Sequence, residues 1–179
     1  MSHKPHHVAT VPLPPESRVT TLYATVNLAD AYSIELPSGT SKDPEVLARF
    51  IFSQLPPWMF GLMKIRDMVV AGVGLKTTKH LKAVDAKNNE NRVGIFKIYG
   101  KEAAELILGE DDKHLDFRLS VLHSEAAPPS GKQRLTLSTV VHCHNRMGRL
   151  YIFIIAPFHR LLVQSSMRHA SRRGWPQAA

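Results

Sequence analysis

The sequence has 179 residues, 44% of them hydrophobic, and this length is sufficient for one domain with a substantial core. A single cysteine excludes an internal disulfide, no apolar run reaches the roughly 18 residues of a membrane span, and no secretory signal opens the chain, so we expect a cytoplasmic protein. The net charge of +8 is concentrated in loop-like and terminal stretches without an aromatic-rich basic strand, which argues against nucleic-acid binding.

The domain limits follow from composition at the two ends of the chain. Residues 1–19 hold four of the twelve prolines, and we predict a flexible N-terminal arm there. A single domain is expected over residues 20–173, followed by a short tail over 174–179. The alternation of apolar and polar residues over 32–36 predicts the first strand of this domain.

Two helices are predicted after that strand. Asp43, Pro44 and Glu45 have the pattern of a helix start, with an N-cap, a proline at the first helical position and an acidic residue in the first turn. A second helix is predicted from Trp58 to Val69, because its apolar residues recur at helical spacing.

A change to a period of two begins near Arg92 and indicates a run of strands. We predict a polar loop over 75–92 and a turn over 109–112. The four predicted strands cover residues 93–99, 103–108, 114–123 and 133–143. Short turns between successive strands imply an antiparallel meander.

The longest apolar run comes last and predicts the helix around which the fold is organised. Its apolar positions recur at helical spacing, at Tyr151, Ile154, Ile155, Phe158, Leu161 and Leu162. Asn145 is a suitable N-cap, and Pro157 inside the helix predicts a kink. A helix this apolar must be covered on several sides, so the predicted fold class is α+β, with an antiparallel sheet wrapped around the C-terminal helix.

The order of the elements resembles the helix-grip fold of the START-like superfamily, which includes lipid-transfer domains and polyketide cyclases. Three stretches are similar to an uncharacterised bacterial family of unknown function that occurs alone or fused to short-chain-dehydrogenase-like domains. They are LPPWMFGLMKIRDMVV with GVGLK (55–70 and 72–76), LGEDDKHLDFRLSV (108–121) and TVVHCHNRMGRLYIFIIAPFHRLLV (139–163). The resemblance implies an apolar ligand between the sheet and the long helix, and some superfamily members act as cyclases or hydrolases. No GxGxxG motif opens a helix after a strand, so we predict no nicotinamide or other cofactor.

Alternation gives the last two predicted strands one apolar and one polar face. The apolar face is expected to pack on the final helix. The polar face carries His114, Asp116, Arg118, His142 and His144. Its simplest interpretation is a solvated surface with cross-strand charge pairs, and the alternatives are a partner interface or a site with a carboxylate between a histidine and an arginine. The histidine spacing would also suit a metal, but this signal is weak and we predict none.

The final helix places two polar side chains toward the sheet. His159 lies four residues after Ile155, and Tyr151 lies two turns before His159. Buried imidazole and phenol groups need partners, so they form either a structural pair across the core or the polar anchors of an apolar pocket. We expect Tyr151, Ile155 and His159 to border a ligand together with Phe117 and Trp58.

The leading functional hypothesis is a non-enzymatic domain that binds a small apolar molecule between the sheet and the C-terminal helix. One alternative is an enzyme of the cyclase or hydrolase type that uses His159, or His114 with Asp116 and Arg118, for acid–base chemistry. Another alternative is an interaction module whose polar sheet face docks on a reductase-like partner. An exposed edge strand is also compatible with a homodimer.

Overall fold

A seven-stranded antiparallel sheet is the frame of the domain in the computed structural model, which describes residues 7–53, 91–125 and 132–178. The strands are β1 (Ala9–Val11), β2 (Leu28–Leu36), β3 (Arg92–Val93), β4 (Phe96–Lys101), β5 (Glu105–Asp111), β6 (Leu115–Glu125) and β7 (Gln133–Cys143). The helices are a 3-10 helix (Arg18–Thr21), α1 (Pro44–Ser53) and α2 (Arg146–Arg173). The strand order in the sheet is β1-β2-β7-β6-β5-β4-β3, so β3 to β7 form the predicted meander.

The first long strand closes the sheet against the last strand. β2 pairs with β7 along its whole length, from Leu28 opposite Val141 to Leu36 opposite Gln133. The long helix α2 follows β7 directly and packs back across the same sheet. This arrangement is the α+β, helix-grip architecture that the sequence predicts.

Both predicted helix starts are confirmed by their caps. The Asp43 carboxylate accepts hydrogen bonds from the backbone N–H groups of Glu45 at 2.7 Å and Val46 at 3.4 Å. The Asn145 side chain accepts from the backbone N–H of Gly148 at 3.1 Å. α2 runs without interruption through Pro157, and the predicted kink there stays a prediction. The second helix, predicted from Trp58, lies outside the described residues.

The core lies between α2 and the apolar face of the sheet, as alternation predicts. On the sheet side, Leu119 and Val121 of β6 join Leu135 and Leu137 of β7. Their partners from the helices and the C-terminal segment are Leu47, Ile51, Val163, Met167, Ala170 and Trp175. A smaller apolar cluster at the start of α2 joins Leu115, Val141, Cys143 and Tyr151.

Two predicted strand limits are wrong, and both differences occur at a glycine. The strand predicted over 93–99 is split into β3 and β4, since Gly94 has φ +57 and reverses the chain there. The turn predicted over 109–112 is mostly strand, because β5 continues to Asp111 and Gly109 pairs with Arg118. A Cβ at Gly109 would fall far inside van der Waals contact with the Phe117 carbonyl oxygen, so this glycine permits close strand approach.

The predicted flexible arm and tail are both partly ordered parts of the domain. Ala9–Val11 forms β1 and pairs with β2, and Ser17 is buried. At the other end, Trp175 is buried in the core and Gln177 forms a bridge with Thr40. These long-range contacts provide the order that the local composition does not predict.

Candidate functional site

A cavity of about 220 Å³ lies between the inner face of the sheet and α2. Most of its wall is apolar, with Phe117 and Leu119 from β6 and Ile155 from α2. The structure also places Tyr151 and His159 at this wall, so four of the five predicted ligand-binding residues border one cavity. The fifth predicted residue, Trp58, lies outside the described part of the chain.

The periodicity of two elements explains why these side chains meet. Phe117 and Leu119 are two residues apart on β6 and therefore leave the same face of the sheet. Tyr151, Ile155 and His159 are four residues apart on α2 and therefore share one face of the helix. The strand and the helix present these faces to each other across the cavity.

The cavity-lining His159 contacts a carboxylate that the sequence did not predict. His159 Nε2 lies 3.4 Å from Asp30 Oδ1, and the Asp30 side chain is only 7% exposed. Neither atom makes a hydrogen bond of good geometry within the described residues, so the two groups are close neighbours without a hydrogen bond between these atoms. The signal for Asp30 was available, because the alternation of Tyr32 and Ile34 continues back to residue 30 on the same strand face.

The Asp30 carboxylate also contacts a buried phenol. The Tyr32 hydroxyl donates to Asp30 Oδ2 at 3.4 Å, and the Tyr32 side chain is fully buried. Burial, followed by the nearby Asp30 charge, raises the pKa of Tyr32 to about 12. The phenol therefore stays protonated at neutral pH and remains a donor to the carboxylate.

A second polar group lies at the opposite side of the cavity. Glu110 on β5 and Asp112 also line it, and Arg92 of β3 contacts Glu110 at 3.1 Å. The Arg92 side chain is buried, so this ion pair compensates the charge of the Glu110 carboxylate at the wall. Since β2 and β5 are separated by β7 and β6, the cavity has two polar sides and an apolar centre.

The histidines of the outer sheet face form local pairs. His144 Nε2 lies 2.9 Å from Asp116 Oδ2, and Asp116 is opposite His142 in the β6–β7 register. His142 Nδ1 lies 2.7 Å from the Thr25 carbonyl oxygen, and its ring stacks on Tyr23 with centroids 5.6 Å apart. Asp116, His142 and His144 therefore lie close together on this face.

The predicted carboxylate between a histidine and an arginine is not formed. Arg118 contacts Asp111 at 2.7 Å, and its guanidinium lies 3.6 Å from the centre of the Tyr99 ring. The sequence did not predict the Arg118–Asp111 pair, because Asp111 was assigned to a turn and not to β5. His114 instead contacts Asn145, with 2.8 Å between Nδ1 and Nδ2, at the start of α2.

Part of the outer face is covered, which corrects its interpretation as a purely solvated surface. The N-terminal segment places Val19 against Ile107 and Val140. Beside this cluster the Glu105 carboxylate is buried and accepts hydrogen bonds from the hydroxyls of Ser17 and Ser120, both at 2.5 Å. No local sequence pattern predicts this network, because its members are distant along the chain.

The described residues contain no group of three His, Cys, Asp or Glu side chains placed to hold a metal ion. Cys143 is buried, and burial raises the pKa of its thiol. A buried thiol with a raised pKa is a poor nucleophile.

Comparison with known proteins gives a family without an assigned activity. No curated protein and no solved structure matches the chain. The family described as protein of unknown function (DUF2867) matches residues 22–166, a range that includes β2, the meander and every cavity-lining residue named above. The match extends over most of the sequence, so the chain belongs to this family of proteins of unknown function, DUF2867.

Proposed function

We propose that this domain binds a small apolar molecule in the cavity between the sheet and α2. The observation that supports it is the cavity of about 220 Å³, whose apolar wall carries a few polar side chains. Small-molecule sites are usually concave and mostly apolar, with a small number of polar groups that orient the ligand. The modest volume indicates a compact ligand.

The polar residues of the wall define how such a ligand would be oriented. Asp30 lies beside the His159 ring, and His159 borders the cavity. A hydroxyl or carbonyl group of the ligand would find its hydrogen-bonding partner there, and Tyr151 borders the same cavity about two helical turns away. The apolar remainder of the ligand would contact Phe117, Leu119 and Ile155.

The charges of the wall favour a neutral ligand over an anion. Glu110 and Asp112 line the cavity, Asp30 lies beside it next to His159, and Arg92 contacts Glu110. A ligand carboxylate would lose its hydration and meet further negative charge. We therefore expect an alcohol to bind better than the acid of the same chain length.

Acid–base catalysis in the same cavity is the second candidate. It is favoured by the Asp30–His159 contact, because a carboxylate beside an imidazole can hold the ring in the orientation that proton transfer requires. No observation favours the interaction module, since Arg118 and the histidines of the polar face contact groups of their own domain. Membership in the START-like superfamily, a bacterial origin and a cytoplasmic location remain proposals.

Binding is tested by titrating the purified protein with 1-octanol and following its amide NMR signals. The Ile155→Trp variant fills the cavity with a larger side chain, and Ile154→Trp makes the same change on the exposed side of α2. Saturable shifts near the cavity in the wild type and in Ile154→Trp, but not in Ile155→Trp, would support the proposal. Shifts that are unaffected by Ile155→Trp would place binding elsewhere and contradict it.

A further inference from the structure

The side of α2 that faces away from the sheet is apolar and exposed. The α2 apolar patch consists of Met147, Leu150, Phe153, Ile154, Phe158 and Leu161, of which Phe158 also borders the cavity. Phe153 is 81% exposed and Leu161 is 60% exposed, values that are unusual for large apolar side chains. The members recur every three or four residues, so they form one continuous stripe along the helix. Contiguous apolar surface of this kind marks an interaction site.

The charged residues of α2 itself are all positive. The sequence of α2, Arg146–Arg173, contains no aspartate or glutamate. Its exposed charged residues beside the patch are Arg146, Arg149, Arg160 and Arg168. A helix with an apolar stripe, aromatic residues and only basic charges is typical of helices that lie in a membrane interface.

Charge also distinguishes a lipid surface from a second copy of the chain. Two α2 helices packed through their patches would bring arginines of both copies together, and like charges repel. An anionic bilayer would neutralise the same arginines, and the net charge of +8 on the whole chain adds to this attraction. The charge distribution therefore favours a lipid surface.

The other side of α2 determines how the helix would meet a bilayer. By length and hydropathy α2 is able to cross a membrane. Its inner face, however, is packed into the domain core through Val163, Met167 and Ala170. A helix that keeps these contacts lies on the membrane and does not cross it.

We propose that the α2 apolar patch docks on an anionic lipid surface. Phe153 and Leu161 insert into the interface between headgroups and acyl chains, and the arginines lie at the level of the lipid phosphates. The Arg149 and Arg160 side chains are exposed, and they lie four residues before and seven residues after Phe153, which is the spacing of neighbours on a helix surface. This inference does not depend on a ligand in the cavity, although both use α2.

Vesicle flotation with the purified full-length chain tests the proposal. Vesicles of phosphatidylcholine alone are compared with vesicles of equal parts phosphatidylcholine and phosphatidylglycerol. Binding to the anionic vesicles is expected, with weaker binding to the neutral vesicles and a decrease as salt concentration rises. No binding to the anionic vesicles at low salt would overturn the proposal.

A matched pair of variants assigns the binding to the patch. Phe153→Ser with Leu161→Ser is expected to lower the vesicle partition coefficient about tenfold or more. The control is Leu22→Ser with Val46→Ser, which changes two other exposed apolar residues, 42% and 40% exposed. Equal losses in both variants would overturn the proposal, and circular dichroism melting checks that each variant is folded.

A charge variant provides an independent result. Arg149→Glu with Arg160→Glu is expected to abolish the preference for anionic vesicles while the apolar patch stays intact. Unchanged preference would contradict the proposal. Analytical ultracentrifugation tests whether the patch instead binds a second copy of the chain. A wild-type dimer that becomes a monomer in the Phe153→Ser and Leu161→Ser double variant would assign the patch to a second copy and overturn docking on lipid.

Discussion

His159 Nε2 lies 3.4 Å from Asp30 Oδ1 at the wall of the cavity, and Tyr32 donates to the other oxygen of the same carboxylate. Asp30 thus accepts a hydrogen bond from one residue of its own strand and lies close to one residue of the helix. The contact connects β2 to α2 beside the cavity. The negative charge of Asp30 should therefore affect which ligands the cavity binds.

Asp30→Asn should reduce the discrimination between a neutral and an anionic probe. The wild type is expected to bind 1-octanol more tightly than octanoate at neutral pH, because Glu110 and Asp112 line the cavity and Asp30 lies beside it. Removing the Asp30 charge should lower the ratio of the octanoate dissociation constant to the 1-octanol dissociation constant about tenfold. The measurement is a pair of NMR titrations.

The control for this comparison is Glu102→Gln, which removes one negative charge from an exposed position. Its ratio of dissociation constants should equal that of the wild type. If octanoate binds wild-type protein more tightly than octanol, the assignment of a neutral ligand is wrong, while the cavity itself remains a binding site.

The buried tyrosine predicts a loss of stability in alkali. The pKa of Tyr32 is raised from 10.0 to about 12 in the folded protein, so folding favours the protonated phenol. Its contribution to the unfolding free energy is therefore fully present below pH 10 and is lost as the pH rises from 10 through 12. Urea unfolding at several pH values should show this decline, and Tyr32→Phe should make it shallower. An equally steep decline in Tyr32→Phe would contradict the assignment to this residue.

The buried Glu105 carboxylate should be important for stability. It accepts hydrogen bonds from Ser17, Ser120 and the backbone N–H of Arg18, all of which lose their acceptor in Glu105→Ala. We expect a loss of about 3 kcal/mol in the unfolding free energy, measured by urea denaturation. Glu102→Ala breaks only an exposed ion pair with Arg18 and should cost less than about 1 kcal/mol. Similar losses in the two variants would indicate that the Glu105 network is not formed.

Gly109→Ala tests the close approach of β5 and β6. The added Cβ would clash with the backbone carbonyl of Phe117, and the strands would have to separate. A loss of about 3 kcal/mol or more in the unfolding free energy is expected. Gly100→Ala serves as the control, because a Cβ there would meet side chains only at ordinary contact distances, the nearest at 3.7 Å. A melting temperature of Gly109→Ala equal to that of Gly100→Ala would refute this role for Gly109.

The sequence predicted best those features that depend on local patterns. The Asp43 and Asn145 caps and the limits of β7 follow from side-chain chemistry and alternation within a few residues. The residues that line the cavity were also predictable. Alternation on β6 places Phe117 on the inner face of the sheet, and a spacing of four residues places Ile155 and His159 on one face of α2.

The features that were missed depend on residues far apart in the chain. β1 is held by pairing with β2, and the buried Glu105 is held by Ser17, 88 residues away. Gly109 looks like a turn residue until its approach to Phe117 is known. Asp30 was also missed, although a local pattern predicts its position. The alternation of β2, continued back from Tyr32, places Asp30 on the inner face of the sheet beside the cavity.

The central claim is that the cavity between the sheet and α2 holds a small apolar molecule, and native mass spectrometry of the protein as purified tests it most directly. We predict a discrete additional mass that disappears on denaturation and is absent from Ile155→Trp but present in Ile154→Trp. Wild-type protein that carries no additional mass, and acquires none after incubation with 1-octanol, would contradict the claim.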